Sequence, residues 1–302
     1  MLTKALRSLS AQPTFLRSAS LTTPKTFAFG DWKPNAPKYE LRYNEGSYDM
    51  PHPVWDMKSA EHVELTHYEP KDFGDKLALF QAKWTRGFFD IVSGYKPGQV
   101  DENGYLERLV RTESVSGVPG MVGGMIRHLK SLSRMNPDLG IIHHLLEEAE
   151  NERKHLFALL ELKQPSLLFR IGLLASQTYF ILWYMVVYAL SPKIAHRFVG
   201  YLRESSTKVY TNAINDIDSG KFPKWKDMPA PQAAIEYWSL PADAKFRDML
   251  VAMRADEVMH REINHYFAGL KPGERLPGMT NLVAGTFKNN KFQAATKDTK
   301  QT

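Results

Sequence analysis

Glu152 and His155 stand three residues apart in the run from Leu145 to Leu156, and Glu257 and His260 repeat that spacing in the run from Arg254 to His260. On a helix, residues three apart share a face, so each pair can turn a carboxylate and an imidazole towards one metal ion. One such pair is common on a solvated helix. Two pairs on two strongly helical segments point to a shared centre. The chain has no cysteine, which removes thiolate ligands, disulfides and thiol nucleophiles. A metal held by Glu, Asp and His alone is a harder or borderline ion such as iron or manganese.

Positioning such a centre takes several helices. Two Glu-x-x-His helices, with one more Glu from each of two others, make the ligand set of carboxylate-bridged di-iron bundles. The periodicity supplies the elements. Leu77, Phe80, Trp84, Phe88 and Ile91 predict a helix over residues 72–95, with Phe73 and Phe89 beside them and Lys76, Lys83 and Arg86 opposite. That pattern suits an interfacial membrane helix and a core helix with a solvated back equally. Further helices are predicted over about 106–133, 139–162, 194–217 and 245–270, with a break near Pro137. Residues 171–190 form one long uncharged run, sufficient in length to span a bilayer. Ser176, Gln177, Thr178 and the aromatics Tyr179, Phe180, Trp183 and Tyr184 fit a helix lying in the interface, or buried in a bundle, at least as well. Gly117, Gly120, Gly123 and Gly124 predict close helix packing rather than a phosphate loop, and His143 and His144 are expected at the surface. There is no strand-like alternation, internal repeat or nucleophile elbow.

The 302 residues carry a formal charge of +6, but Lys4, Arg7, Arg17 and Lys25 supply four of those charges in a stretch without acids. The remainder is close to neutral, so a nucleic-acid partner is not expected. Residues 1–30, rich in Ser, Thr, Arg and Lys, have the composition of a mitochondrial transit peptide. Residues 31–70, dense in Pro, Tyr and Trp, are expected as an extended arm, 71–270 as the helical domain and 271–302 as an irregular tail.

From Tyr105 to about Leu270 the chain resembles the mitochondrial alternative oxidases, di-iron ubiquinol oxidases that sit on one leaflet of the inner membrane. The resemblance rests on four blocks in order: Glu113 to Met125 (ESVSGVPGMVGGM), Asn151 to Leu156 (NERKHL), His196 to Leu202 (HRFVGYL), and Arg254 to Glu257 with His260. It implies an all-α, ferritin-like di-iron-type four-helix bundle, with two added helices, 72–95 and 171–190, lying in the membrane interface on the matrix side. It also implies iron ligands at Glu113, Glu152, His155, Glu257 and His260, a redox-active tyrosine at Tyr210, and a quinone mouth at Arg108. Asp256 would orient a ligand histidine, taking Arg254, Arg111 or Arg203 as its partner if no metal is bound.

The sixth iron ligand of the family, a Glu after Gly-Tyr-Leu, is replaced here by Arg203. Tyr201-Leu202 before it and Tyr210-Thr211 after it keep the register, so Glu204 points about 100° away from the ligand direction. A guanidinium never deprotonates and can take Glu113, Glu152 or Glu257 as bidentate partners. Two like unit charges a few ångströms apart repel by about 4 kcal/mol at an effective dielectric near 20, and a divalent ion doubles that. The quinone pocket also departs from the family, with Thr112 in place of Leu, Arg111 in place of an apolar residue, and Ser205 and Ser206 in place of Glu and Ala. Lys154 takes the place of a Met on an outer face. The expectation is a pseudoenzyme without a metal cofactor, a structural or accessory subunit of a respiratory complex or a homodimer. The alternative is an active di-iron oxidase reducing dioxygen with ubiquinol, with Glu204 or a water at the sixth position. A third reading is a single metal on His155, His260 and a bridging Glu.

Overall fold

A computed structural model describes residues 37, 39–42, 50, 52–93 and 100–271. The expected transit peptide and all of the expected tail beyond Lys271 lie outside the described residues. Two short strands, β1 (Tyr39–Arg42) and β2 (His52–Trp55), pair antiparallel with Tyr39 opposite Trp55, where the sequence pattern predicted only an extended arm. After the single turn α1 (Met57–Ala60) come α2 (Phe73–Ser93), α3 (Glu102–Ser116), α4 (Val118–Arg134), α5 (Ile141–Leu162), α6 (Leu167–Leu190) and α7 (Pro192–Asp218). The short α8 (Pro223–Lys226) and α9 (Gln232–Trp238) lead to α10 (Phe246–Gly269). The all-α class and the four-helix arrangement are as predicted.

One long predicted helix, 106–133, is two. Gly117 ends α3, and Pro119, whose missing N–H is tolerated only in a first turn, opens α4. The two pieces run antiparallel along α5. Their approach is set by Gly120: a Cβ there would stand 2.5 Å from the Leu145 carbonyl oxygen and 3.2 Å from the Ala149 nitrogen, both main-chain atoms. Gly120→Ala must therefore push two helices apart. A loss of about 1–3 kcal/mol is expected in chemical unfolding, and a loss below that range would show the contact to be soft.

α10 is buried on every side from Met249 to Arg261, so it is the centre of the molecule rather than an amphipathic surface helix. It lies antiparallel to α7, and α3 and α5 complete the bundle around it. Below the bundle centre, Leu109, Leu159, Ile214, Phe246 and Trp238 form the main apolar core. A second core joins α2, α4, α6 and α7 through Ala78, Ala82, Val122, Tyr184 and Phe198.

α2 turns its aromatic stripe outward. Ala78 and Ala82 face the body, whereas Phe80, Trp84 and Phe88 are half or more exposed and Phe73 and Ile91 about four-fifths exposed. α6 does the same: 24 residues with mean hydropathy 1.5, and Leu168, Leu174, Leu182, Val186 and Leu190 all turned outward. The two helices flank a groove lined by Phe80, Trp84, Phe88, Tyr179 and Trp183, which places both apolar faces on one side.

Candidate metal centre

Four helices aim at one point. α3 brings Glu113, α5 brings Glu148, Glu152 and His155, α7 brings Arg203 and Tyr210, and α10 brings Glu257 and His260. None of these is more than 6% exposed. All five ligand positions named from the sequence converge, together with Arg203 and Tyr210.

The centre has two unlike halves. In the first, oxygens of Glu113, Glu152 and Glu257 and a nitrogen of His155 lie within 4.8 Å of one another. His155 Nδ1 is 3.4 Å from Glu113 Oε2 and 3.9 Å from both Glu152 Oε2 and Glu257 Oε1. These separations exceed hydrogen-bond length, and Nδ1 has no hydrogen-bond partner although it is fully buried. The opposite nitrogen, Nε2, donates to Asp256 Oδ2 at 2.9 Å. Asp256 is itself held by Trp55 Nε1 at 2.7 Å, Trp238 Nε1 at 2.8 Å and Asn151 Nδ2 at 3.0 Å. The partner expected for Asp256 was an arginine. Neutral donors serve instead, and the carboxylate they hold fixes the ring with Nδ1 facing the three glutamates. Arg254 donates to the Ala60 and Glu61 carbonyls and Arg111 pairs with Glu107.

Arg203 fills the second half. Its Nη1 is 2.8 Å from Glu152 Oε1 and 3.4 Å from both oxygens of Glu257. Nη2 donates to Glu148 Oε1 at 2.8 Å and to the Ser116 carbonyl at 3.0 Å. Two of the partners expected for this arginine are thus correct. Glu113 is not one: it lies across the centre, where Tyr210 donates to its Oε1 at 2.8 Å and Ser116 Oγ to its Oε2 at 3.1 Å. Ser116 Oγ also reaches Glu152 Oε2, so one hydroxyl proton faces two carboxylates. On the Arg203 side, His260 Nδ1 is 2.7 Å from Glu152 Oε1.

The charges follow this division. Burial resists ionisation of Glu152, but Arg203 and His260 outweigh it and hold its carboxyl well below the usual range. Burial and the Glu152 charge push Glu113 up and Glu257 well up, the latter against the pull of Arg203. Burial opposes a charge on His155, yet the bond to Asp256 and the nearby carboxylates of Glu113 and Glu152 hold its pKa well above the ordinary value. Burial and Glu113 keep the Tyr210 hydroxyl protonated.

Glu204 does not fill the sixth position. It turns to the outside of α7, where it pairs with His67 and His265 and accepts the Tyr68 N–H at 2.9 Å. The donor set therefore does not fit a dinuclear centre. A permanent cation stands among the oxygens that a second metal would need, and the first half keeps its four donors.

A cavity of about 100 Å³ opens beside the centre, lined by Phe89, Arg108, Thr112, Glu113, Leu202 and Arg203 among others. Arg108 is held there by Asp90 at 2.8 Å. Arg108 and Thr112, named from the sequence as a degenerate quinone pocket, thus share one cavity with Glu113 and Tyr210.

The sequence reading missed Glu148 and Asn264. The i, i+4 spacing of Glu148 and Glu152 was a usable signal, since both fall on one face of α5. Asn264 Nδ2 donates to Glu148 Oε2 at 2.8 Å, its Oδ1 accepts from His196 Nδ1 at 3.0 Å, and Tyr188 OH is 2.9 Å from His196 Nε2. Burial pushes the His196 pKa down to about 4. Below about pH 6.5 the unfolded chain takes up a proton that the folded one refuses until about pH 4, so stability falls with pH across that window. Between pH 8 and pH 5 the loss through this residue is about 2 kcal/mol. Urea unfolding of the wild type and His196→Gln at both values measures it; equal pH slopes would contradict the assignment.

Comparison with known proteins agrees with this architecture. The family-wide pattern for "Alternative oxidase" matches residues 55–269. The chain is 41% identical over 271 residues to a mitochondrial alternative oxidase of Emericella nidulans, covering 86% of this chain and 75% of that one. It is 41% identical over 246 residues to that of Trypanosoma brucei brucei, covering 82% and 74%. To that of Cryptococcus neoformans var. grubii it is 41% identical over 247 residues, 74% of this chain and 62% of that one. The chain thus spans somewhat less than two thirds of the Cryptococcus relative.

Proposed function

Because the chain belongs to the alternative oxidase family, we propose that it is a mitochondrial protein that keeps the scaffold of a quinol oxidase without its dinuclear oxygen chemistry. It serves as a structural or accessory subunit at the matrix face of the inner membrane. The observation that carries this reading is the Arg203 guanidinium at the bundle centre, ion-paired to Glu148, Glu152 and Glu257. Reducing dioxygen to water needs four electrons, and a carboxylate-bridged metal pair supplies the site where they meet the substrate. A chain whose second metal position holds a fixed cation lacks that site. The assay is cyanide-insensitive quinol oxidation by the purified full chain beside a family relative with Glu at the corresponding position. No turnover above background is expected, and turnover comparable with the relative would overturn the reading.

A second reading, an active ubiquinol oxidase, is favoured by the relatives' names and by the convergence of five family ligands with Tyr210. It requires Arg203 to leave the centre.

Attachment to one leaflet is supported by the outward faces of α2 and α6. Buried halfway into lipid, Trp84 and Phe88 each contribute on the order of 1–2 kcal/mol. The double variant Trp84→Glu, Phe88→Glu is expected to lose at least tenfold in vesicle binding by flotation; unchanged flotation would remove α2 from the membrane face. Pairing of two copies is supported by the exposed stripe Met121, Met125, Leu129, Leu132 and Met135 along and just beyond α4.

A further inference from the structure

We propose that the first half of the centre is a mononuclear site that takes one divalent first-row cation on Glu113, Glu152, His155 and Glu257, with the Arg203 guanidinium as its fixed cationic neighbour. The proposal rests on the reading that Arg203 replaces the second metal, and it adds that the first position is still built to bind.

Three observations carry it. The first is His155 Nδ1, a fully buried nitrogen without a hydrogen-bond partner, aimed at three carboxylates by a second nitrogen locked onto Asp256. The second is spacing. Donors bound to one ion at about 2.0–2.2 Å lie about 3–4 Å from each other, the range of the 3.4, 3.9 and 3.9 Å separations around Nδ1. Those distances are too long for hydrogen bonds and right for ligands of a common ion. The third is that Glu152 is divided between the halves. Its Oε1 meets Arg203 and His260, while its Oε2 faces Glu113 and His155. This is the disposition of a bridging carboxylate, with a guanidinium on one side and a convergent set of donors on the other.

Repulsion between the guanidinium and the ion does not forbid it. Two-metal enzyme sites hold two divalent ions about 3.5–4 Å apart, so anionic ligands can offset a larger repulsion than this one. A guanidinium and one divalent ion have half that charge product across the same carboxylates. Once the ion is bound, its two positive charges and that of Arg203 face four carboxylates, Glu113, Glu148, Glu152 and Glu257. Three oxygens and one imidazole suit Fe2+ or Mn2+, with Zn2+ also accommodated. His260 stands on the guanidinium side and is not a ligand here.

The experiment uses the full chain, stripped with chelator and dialysed against Mn2+, or against Fe2+ without oxygen, with bound metal counted by elemental analysis and Mn2+ followed by electron paramagnetic resonance. One ion per chain is expected, with the spectrum of an isolated Mn2+ and a raised melting temperature. Glu113→Gln is expected to weaken binding at least tenfold, and His143→Gln, at an exposed histidine of α5 paired with Glu147 outside the centre, to leave it within a few-fold. Both variants are checked for helicity, and Glu113→Asp serves as the second variant if Glu113→Gln does not fold. Zero ions per chain overturns the mononuclear site and leaves the seating of Arg203 standing. Two ions overturn both. One ion that survives Glu113→Gln undiminished places the metal elsewhere and also overturns the proposal.

Discussion

Arg203→Glu raises metal uptake from one ion per chain to two. The substitution removes the permanent cation and adds a carboxylate at the position where the family has an iron ligand. Glu148, Glu152 and His260 then lose the guanidinium that now stands among them, and these three already converge closely enough to share an ion. The net change at the centre is two charges, from one cation to one anion, in a fully buried site where each carboxylate lacking a counter-charge is costly. A second divalent ion is the group that compensates it. Stripped of metal, Arg203→Glu is expected to be the least stable variant of the series; with Fe2+ or Mn2+ present, it recovers. Loss of the isolated-ion Mn2+ spectrum in favour of a coupled pair checks the result directly. Continued binding of a single ion would show that the second half has drifted too far to be restored by one residue.

Arg203→Leu costs about 3–5 kcal/mol in the metal-free protein, because it leaves Glu148, Glu152 and Glu257 facing one another without their common partner. For a folded body of this size the melting temperature falls by roughly 10 °C or more. Arg203→Lys recovers only part of the loss. An ammonium cannot reach Glu148, Glu152 and the Ser116 carbonyl together as the planar fork does. A leucine variant within 1 kcal/mol of wild type would mean that the glutamates protonate at little cost, and Arg203 would then be a passenger rather than the organiser of the centre.

The site was legible to the extent that its chemistry is periodic. Glu152 with His155 and Glu257 with His260 declare themselves by spacing, and Arg203 was recognisable as an intruder because Tyr201 and Tyr210 hold the register on both sides. What spacing could not reveal is which carboxylate meets which cation. Arg203 was expected to reach Glu113, but Glu113 is on the far helix and belongs to Tyr210 and Ser116. Glu148 lies one turn before Glu152 and on the guanidinium's side, so it takes that role. Asp256 was assigned an arginine because a buried acid needs a donor. Two indoles and an amide, Trp55, Trp238 and Asn151, arrive from three different elements, and no local pattern announces such a meeting.

The fold was read with the same unevenness. The long helices follow from apolar periodicity, and the outward aromatics of α2 were visible as a stripe. The side that the stripe faces depends on Ala78 and Ala82, whose small side chains let α2 lie close to α7. The break between α3 and α4 is a local event at Gly117 and Pro119 inside an otherwise helical pattern. The strand pair β1–β2 is too short to show an alternation.

The central claim is that a guanidinium occupies the position of a second metal. A crystal structure of the protein grown with Mn2+, with anomalous differences collected at the metal edge, tests it most directly. The account predicts one anomalous peak beside His155 Nδ1 and continuous side-chain density for Arg203 between Glu148, Glu152 and Glu257. Two peaks bridged by Glu152 and Glu257, with Arg203 turned out of the bundle, would contradict it.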